Sequence, residues 1–90
     1  MTTFVSIPDT LAAIREQLIS EYKNDSVIYN RLENKYFSAD TPREWCETAR
    51  PEIDRMYKDL RDRLEAINNI EMVLCTLSKG EYDYHFDGNF

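Results

Sequence analysis

The sequence predicts an all-α protein: an antiparallel two-helix hairpin, its second helix long and kinked near Pro51, completed into a helical bundle by oligomerisation. Three observations carry this. An apolar stripe, Ile53, Met56, Leu60, Ile67, Ile70, Leu74 and Leu77, recurs at alternating steps of three and four with only Arg63 interrupting it, which is the seam of a coiled-coil or bundle helix. The ninety residues hold only two glycines and three prolines, the residues that punctuate short strands. Between two long periodic stretches, Thr41, Pro42, Arg43 and Glu44 spell a capping box with proline at the first helical position. Residues 1–80 are read as the hairpin domain and 81–90 as an acidic, aromatic tail.

The first helix is expected from Pro8 to about Phe37. Ser6 can cap it, Pro8 fits the first turn, where its missing N–H is not needed, and Asp9 suits the positive end of the helix dipole. Its inward face would be Leu11, Ile14, Leu18, Tyr22, Tyr29, Leu32 and Tyr36, with the polar Asp25 in the middle. The run Lys23, Asn24, Asp25, Ser26 is the weak point, because Asn, Asp and Ser compete for backbone hydrogen bonds.

After a short connection over residues 37–40, the second helix is expected from Pro42 to about Ser78, ended by Gly80. Pro51 inside it removes one hydrogen bond and crowds the preceding turn, so the helix kinks near Ala49 or a short Trp45-bearing helix precedes the long one. Arg63, the polar residue on the seam, has Asp59 one turn before it; its stem would pack while its head pairs or reaches water. Exposed pairs four apart, such as Asp54 with Lys58 and Arg61 with Glu65, add only about 0.2 to 0.5 kcal/mol each and mark a solvated face.

Two helices joined by so short a loop run antiparallel. The stripe from Ile53 to Leu77 is long, and residues 70–77 are apolar nearly all round, with Met72 and Cys75 pointing away from Ile70, Leu74 and Leu77. A helix with no polar side is normally covered on several sides. A second copy of the chain is the expected cover, giving a homodimer or higher assembly whose self-association seam is Ile53, Met56, Leu60, Ile67, Ile70, Leu74 and Leu77.

In the tail, Tyr82, Tyr84 and Phe86 alternate with Asp83, His85 and Asp87. This is strand periodicity, either a ribbon with Thr3 to Ser6 or a mobile segment that adds to a partner.

The net charge of −6 argues against generic binding to nucleic acid, which draws its affinity from Lys and Arg. No apolar run approaches the roughly 20 residues of a membrane span, and the start lacks the basic and apolar regions of a secretory signal; the reading is cytoplasmic. Cys46 and Cys75, 29 residues apart on one helix, would be about 43 Å apart and are expected as free, buried thiols.

No constellation for catalysis stands out. His85, the single histidine, sits in the tail, no Glu-x-x-His spacing suggests a di-metal bundle, and glycine-rich phosphate loops are absent. Cofactors and metals are therefore expected to be none. The function this build permits is that of a small non-enzymatic binding protein, an inhibitor, adaptor or regulator working through protein–protein contacts. Its contact residues would be Met72, Cys75, Tyr82, Tyr84 and Phe86, since exposed aromatics are over-represented at contact hot spots. A second reading is an oligomeric module that sequesters a small anionic ligand such as a nucleotide through Arg43, Arg50, Arg55 and Arg61; a third is a structural assembly subunit.

Overall fold

A computed structural model describes residues 6–82 and 84–88. Two helices, α1 (Ile7–Tyr36) and α2 (Arg43–Leu77), account for all regular structure among the described residues. They run side by side in an elongated body of 60 × 30 × 15 Å. Their cross-contacts show the antiparallel sense: Arg15 meets Glu71, Asp25 meets Arg63, Tyr29 meets Tyr57, and the Tyr36 carbonyl meets Cys46. The expected hairpin is therefore present.

α1 begins as its sequence directs. Ser6 is extended and its hydroxyl accepts the Asp9 N–H at 3.1 Å, with Pro8 in the first turn. The helix then runs unbroken through Lys23 to Ser26. Asp25 does not interrupt it, because its carboxylate pairs with Arg63 across the hairpin, and Glu21 lies 3.8 Å from the same guanidinium. Arg63 thus finds its partners on α1 rather than at Asp59.

The capping box does not form. Thr41 turns back to donate its hydroxyl to the Lys35 carbonyl, and Pro42 occupies the cap of α2 with no side-chain hydrogen bond. The threonine lies within reach of two helix ends, and it serves the orphan carbonyls of α1 instead of the orphan amides of α2. Lys35 also lays its ammonium 4.5 Å from the centre of the Trp45 ring, bracing the turn. α2 carries Pro51 within a single helix, so no separate Trp45-bearing helix precedes it. At its far end the Lys79 N–H bonds the Thr76 carbonyl and the Gly80 N–H bonds the Cys75 carbonyl, the paired bonds of a Schellman end. Lys79 takes the first left-handed position (φ 56°) and Gly80 follows at φ 85°, so the glycine stands one place later than a usual glycine cap.

The core follows steps of seven. On α2, Ile53, Leu60, Ile67 and Leu74 are buried, with Ile67 at 0 % and Leu60 at 1 % exposure. Met56 and Ile70 are half-buried, while Leu77 is 47 % exposed. The seam read as a self-association surface is thus closed largely within one chain. On α1 the buried positions are Arg15, Ile19, Tyr22 and Tyr29. The expected face holds at Tyr22 and Tyr29, which are buried, and at Leu18, Leu32 and Tyr36, which pack against the core. It does not hold at its start, where Leu11 is only half-buried and Ile14 faces solvent because the helix is turned to bring Arg15 inward.

Candidate functional site

What draws Arg15 inward is Glu71, the only other buried charged residue among those described. The Arg15 Nε and Nη2 groups both lie 3.0 Å from Glu71 Oε2, and Nη1 reaches Glu16 at 2.8 Å. A buried charge must be paired and hydrogen-bonded to be tolerated. Here a further donor is recruited from the tail: the Phe86 N–H, also 3.0 Å from Oε2.

That bond pins the chain segment after α2 onto one side of the hairpin. The Tyr82 N–H donates to Ser78 Oγ at 2.8 Å and turns the chain back. The Phe86 ring then meets the Tyr22 ring edge-on, centroids 5.5 Å apart, under the Lys23 ammonium. Gly88 ends the segment so close to α1 and α2 that a β-carbon there would lie 2.6 Å from Leu64 Cδ1 and 2.8 Å from Tyr22 Oη. Among the described residues the segment is neither a strand nor detached from the hairpin. Residues 81–82 and 84–88 form no strand and lie on the hairpin; the proposed ribbon partners Thr3 to Val5, and Asp83, lie outside the described residues. Packing in an irregular conformation leaves no period in the sequence, and this is why the alternation misled.

The returning segment and α2 enclose an open cleft of about 370 Å³. Met72 and Cys75 form its apolar side, Asn68 and Glu71 its polar side, and Tyr82, Tyr84 and His85 its aromatic wall. Four of the five contact residues expected from sequence therefore line one concavity. Phe86 is the exception, since its ring is committed to the core. Tyr82 and Tyr84 stack edge to face at 5.2 Å, and the Arg15 guanidinium lies 5.9 Å from the Tyr82 ring. Burial raises the Tyr82 phenol above its ordinary value, with Arg15 opposing and Glu71 and Glu16 adding to it. His85 is exposed, its Nε2 3.1 Å from Asp87 and its Nδ1 4.0 Å from Glu71.

Sequence reasoning missed Arg15, Asn68, Glu71 and His85 as members of this site. A usable signal existed: Arg15 keeps the seven-residue step of Tyr22 and Tyr29, and Glu71 falls between Ile67 and Leu74. Opposite charges at facing core positions of an antiparallel pair imply a buried bridge.

The arginines read as an anion site do not gather. Arg43 pairs with Glu47 and Arg55 with Glu52, all on exposed surface, and Arg61 is exposed on α2. Arg43 and Arg61 stand about 27 Å apart along the helix axis at 1.5 Å per residue. Arg50 alone lines a second cleft, of about 330 Å³ near the turn, with Tyr29, Tyr36 and Phe37 and the carboxylates of Glu33 and Asp54. The Tyr29 hydroxyl donates to Glu33 there; burial first, then Glu33, push its pKa up to about 12.

Cys46 and Cys75 are free, but neither is buried: Cys46 is half-buried beside the turn, its thiol facing the Tyr36 carbonyl, and Cys75 is exposed because it lies on the cleft side of α2. Among the described residues no three His, Cys, Asp or Glu side chains stand together as a metal site, and no helix is long and apolar enough to cross a membrane. Comparison with protein-family models, with curated proteins and with solved structures found no match.

Proposed function

We propose that this chain is a small non-enzymatic binding protein of the cytoplasm, an inhibitor, adaptor or regulator that docks a protein partner on the cleft between the returning segment and the last turns of α2. One observation carries the reading. Of ten large apolar side chains left exposed among the described residues, six (Ile7, Ile14, Met72, Val73, Leu77 and Tyr84) belong to the end of the hairpin where α1 starts and α2 finishes, with Met72 at 68 % and Tyr84 at 69 % exposure. Val73 and Leu77 continue the apolar surface from Met72 into an adjoining shallow groove. Concentrated apolar surface of this kind marks interaction sites on soluble proteins, and aromatic anchors beside a pocket are the usual source of binding energy.

The same surface supports self-association. A second copy packing Val73 and Leu77 against its own equivalents would complete a four-helix bundle, a homodimer formed through one end of α2 rather than along its whole seam. Light scattering should then return twice the chain mass, reverting to the single-chain value on Leu77→Ser.

Partner docking is tested by placing a photo-crosslinking amino acid at position 72 or at position 61 on the opposite, solvated face. Crosslinks to one defined protein from 72 and not from 61 are expected; equal labelling from both positions overturns the proposal.

A further inference from the structure

The two oxygens of Glu71 are unequally served. Oε2 accepts two hydrogen bonds, from Arg15 Nε and the Phe86 N–H, and lies 3.0 Å from Nη2, whereas Oε1, also buried, accepts none among the described residues. The same holds for Asn68 Oδ1, one turn earlier on α2. Both residues border the cleft described above, and both atoms are acceptors. What the site lacks is a donor, because native proteins rarely leave a buried polar atom unpaired.

Charge narrows the class of donor. The single positive charge of Arg15 is divided between Glu71 and Glu16, Asp87 stands at the rim beside His85, and the whole chain carries −6. An anion is refused there, and a neutral donor would leave the excess carboxylate uncompensated. Shape narrows it further. Both acceptors are buried and Glu71 already holds the guanidinium of Arg15, so a second planar guanidinium would be crowded there; a compact ammonium with three rotatable donors is the smaller cation that can serve both. Tyr82 and Tyr84 supply ring faces that attract such a cation, and Met72 and Cys75 supply apolar surface for a methylene stem. Among the described residues no three His, Cys, Asp or Glu side chains gather there to hold a metal ion.

We infer that the cleft seats a lysine side chain of the docked protein, its ε-ammonium donating to Glu71 Oε1 and Asn68 Oδ1 and its stem lying along Met72. This rests on the docking proposal above and gives it a chemistry. His85, with Nδ1 4.0 Å from Oε1 and a side chain 69 % exposed, is the group that swings aside to admit the ammonium.

The test is an NMR titration of the full chain with Nα-acetyl-lysine methylamide, alongside the norleucine and arginine analogues. The lysine derivative should move the Asn68 side-chain amide and the backbone signals of residues 71 and 82–86 in a saturable way. The norleucine compound should leave them in place, and the arginine compound should act at least tenfold more weakly. Asn68→Leu, which spares the Arg15–Glu71 pair, should weaken the lysine response about tenfold while the helical spectrum is retained. Silence towards the lysine derivative, or equal response to the neutral analogue, overturns the inference. Crosslinking from position 72 separates the two ideas. A crosslinked partner with no lysine response refutes the ammonium assignment alone. A lysine response with no crosslinked partner means the site takes a free amine, which refutes the protein source.

Discussion

The two ends of the hairpin are built on different physics. Toward the turn the core is apolar: Tyr29, Ile53 and Leu60 are buried, with Leu32, Tyr36, Ala49 and Met56 around them, and no charged residue there is buried among those described. Toward the chain termini the same inward positions are taken by Arg15 and Glu71, and Leu74, though buried, falls outside the contiguous apolar cluster. A short connection holds the helices together at the turn, so side-chain burial suffices. At the open end the helices have no such connection among the described residues, and a buried ion pair offers little net stability because its desolvation offsets its attraction. That end is closed by a third element, the returning segment, whose Phe86 gives both an amide to the carboxylate and a ring to the core. The end closed by this cover is also the end with exposed Met72, Leu77 and Tyr84.

The largest expected effect falls where the two regions meet. Ile67 is fully buried between Leu60 and Glu71, and its truncation to alanine should cost about 3 to 5 kcal/mol, the upper part of the range for enclosed aliphatic residues. Against the narrow margin of so small a domain, urea denaturation of Ile67→Ala should show a largely unfolded protein. If the two ends were independent units, the turn end would survive this substitution; a residual transition of native slope would break the comparison.

Next in size is the ion pair itself. Glu71→Ala should destabilise by about 2 to 3 kcal/mol, less than the loss for a fully enclosed pair because Arg15 retains Glu16. Replacing both partners, Arg15→Met with Glu71→Met, should recover at least half of that, since no charge is then left unpaired. A double variant less stable than Glu71→Ala would show the pair to be a net source of stability, and the contrast between the ends would then be wrong.

The division follows what a sequence can and cannot display. Ser6, Pro8 and the Ile53 to Leu74 spacing act through local geometry, so α1, α2 and most of the seam were legible. Thr41 was misplaced because its choice lies between two helix ends, a matter of three-dimensional reach. Arg15 and Glu71 were passed over because a search for apolar periodicity counts every charge as surface. Met72, Cys75, Tyr82 and Tyr84 stand out in the sequence as apolar and aromatic residues away from the seam, but the cleft that they line does not, since it exists only once the segment after Gly80 folds back, and irregular packing leaves no period to detect.

Alkali separates the ends by titration. The Tyr29 phenol is pushed up to about 12, by burial first and then by Glu33, whereas an unfolded tyrosine ionises near 10. The folded state therefore holds its proton longer. Tyr29's contribution is fully present below pH 10 and is lost as pH rises from 10 to about 12, a total of about 2 to 3 kcal/mol at 1.36 kcal/mol per pH unit. Tyr22 and Tyr82 are raised too, chiefly by burial, and act in the same sense at the open end. Tyr29→Phe should flatten the turn-end part of the alkaline loss followed by circular dichroism; an unchanged slope would assign the whole effect to Tyr22 and Tyr82.

The smallest effect is the most local. Phe86 is half-buried, so Phe86→Ala should cost only about 1 to 2 kcal/mol, the area lost plus one edge-to-face contact. Its signature is distribution rather than size. Losing the ring loosens the amide that serves Glu71, so hydrogen exchange should quicken at residues 15–22 and 67–74 while 29–60 keep their protection, local opening being confined to units with few buried contacts. Gly88→Ala should act in the same direction and more weakly, because the clash it creates is with the flexible end of Leu64 and with the Tyr22 hydroxyl. Uniform acceleration along both helices would mean that the segment stabilises the hairpin as a whole, and the open end would then be no more dependent on its cover than the turn.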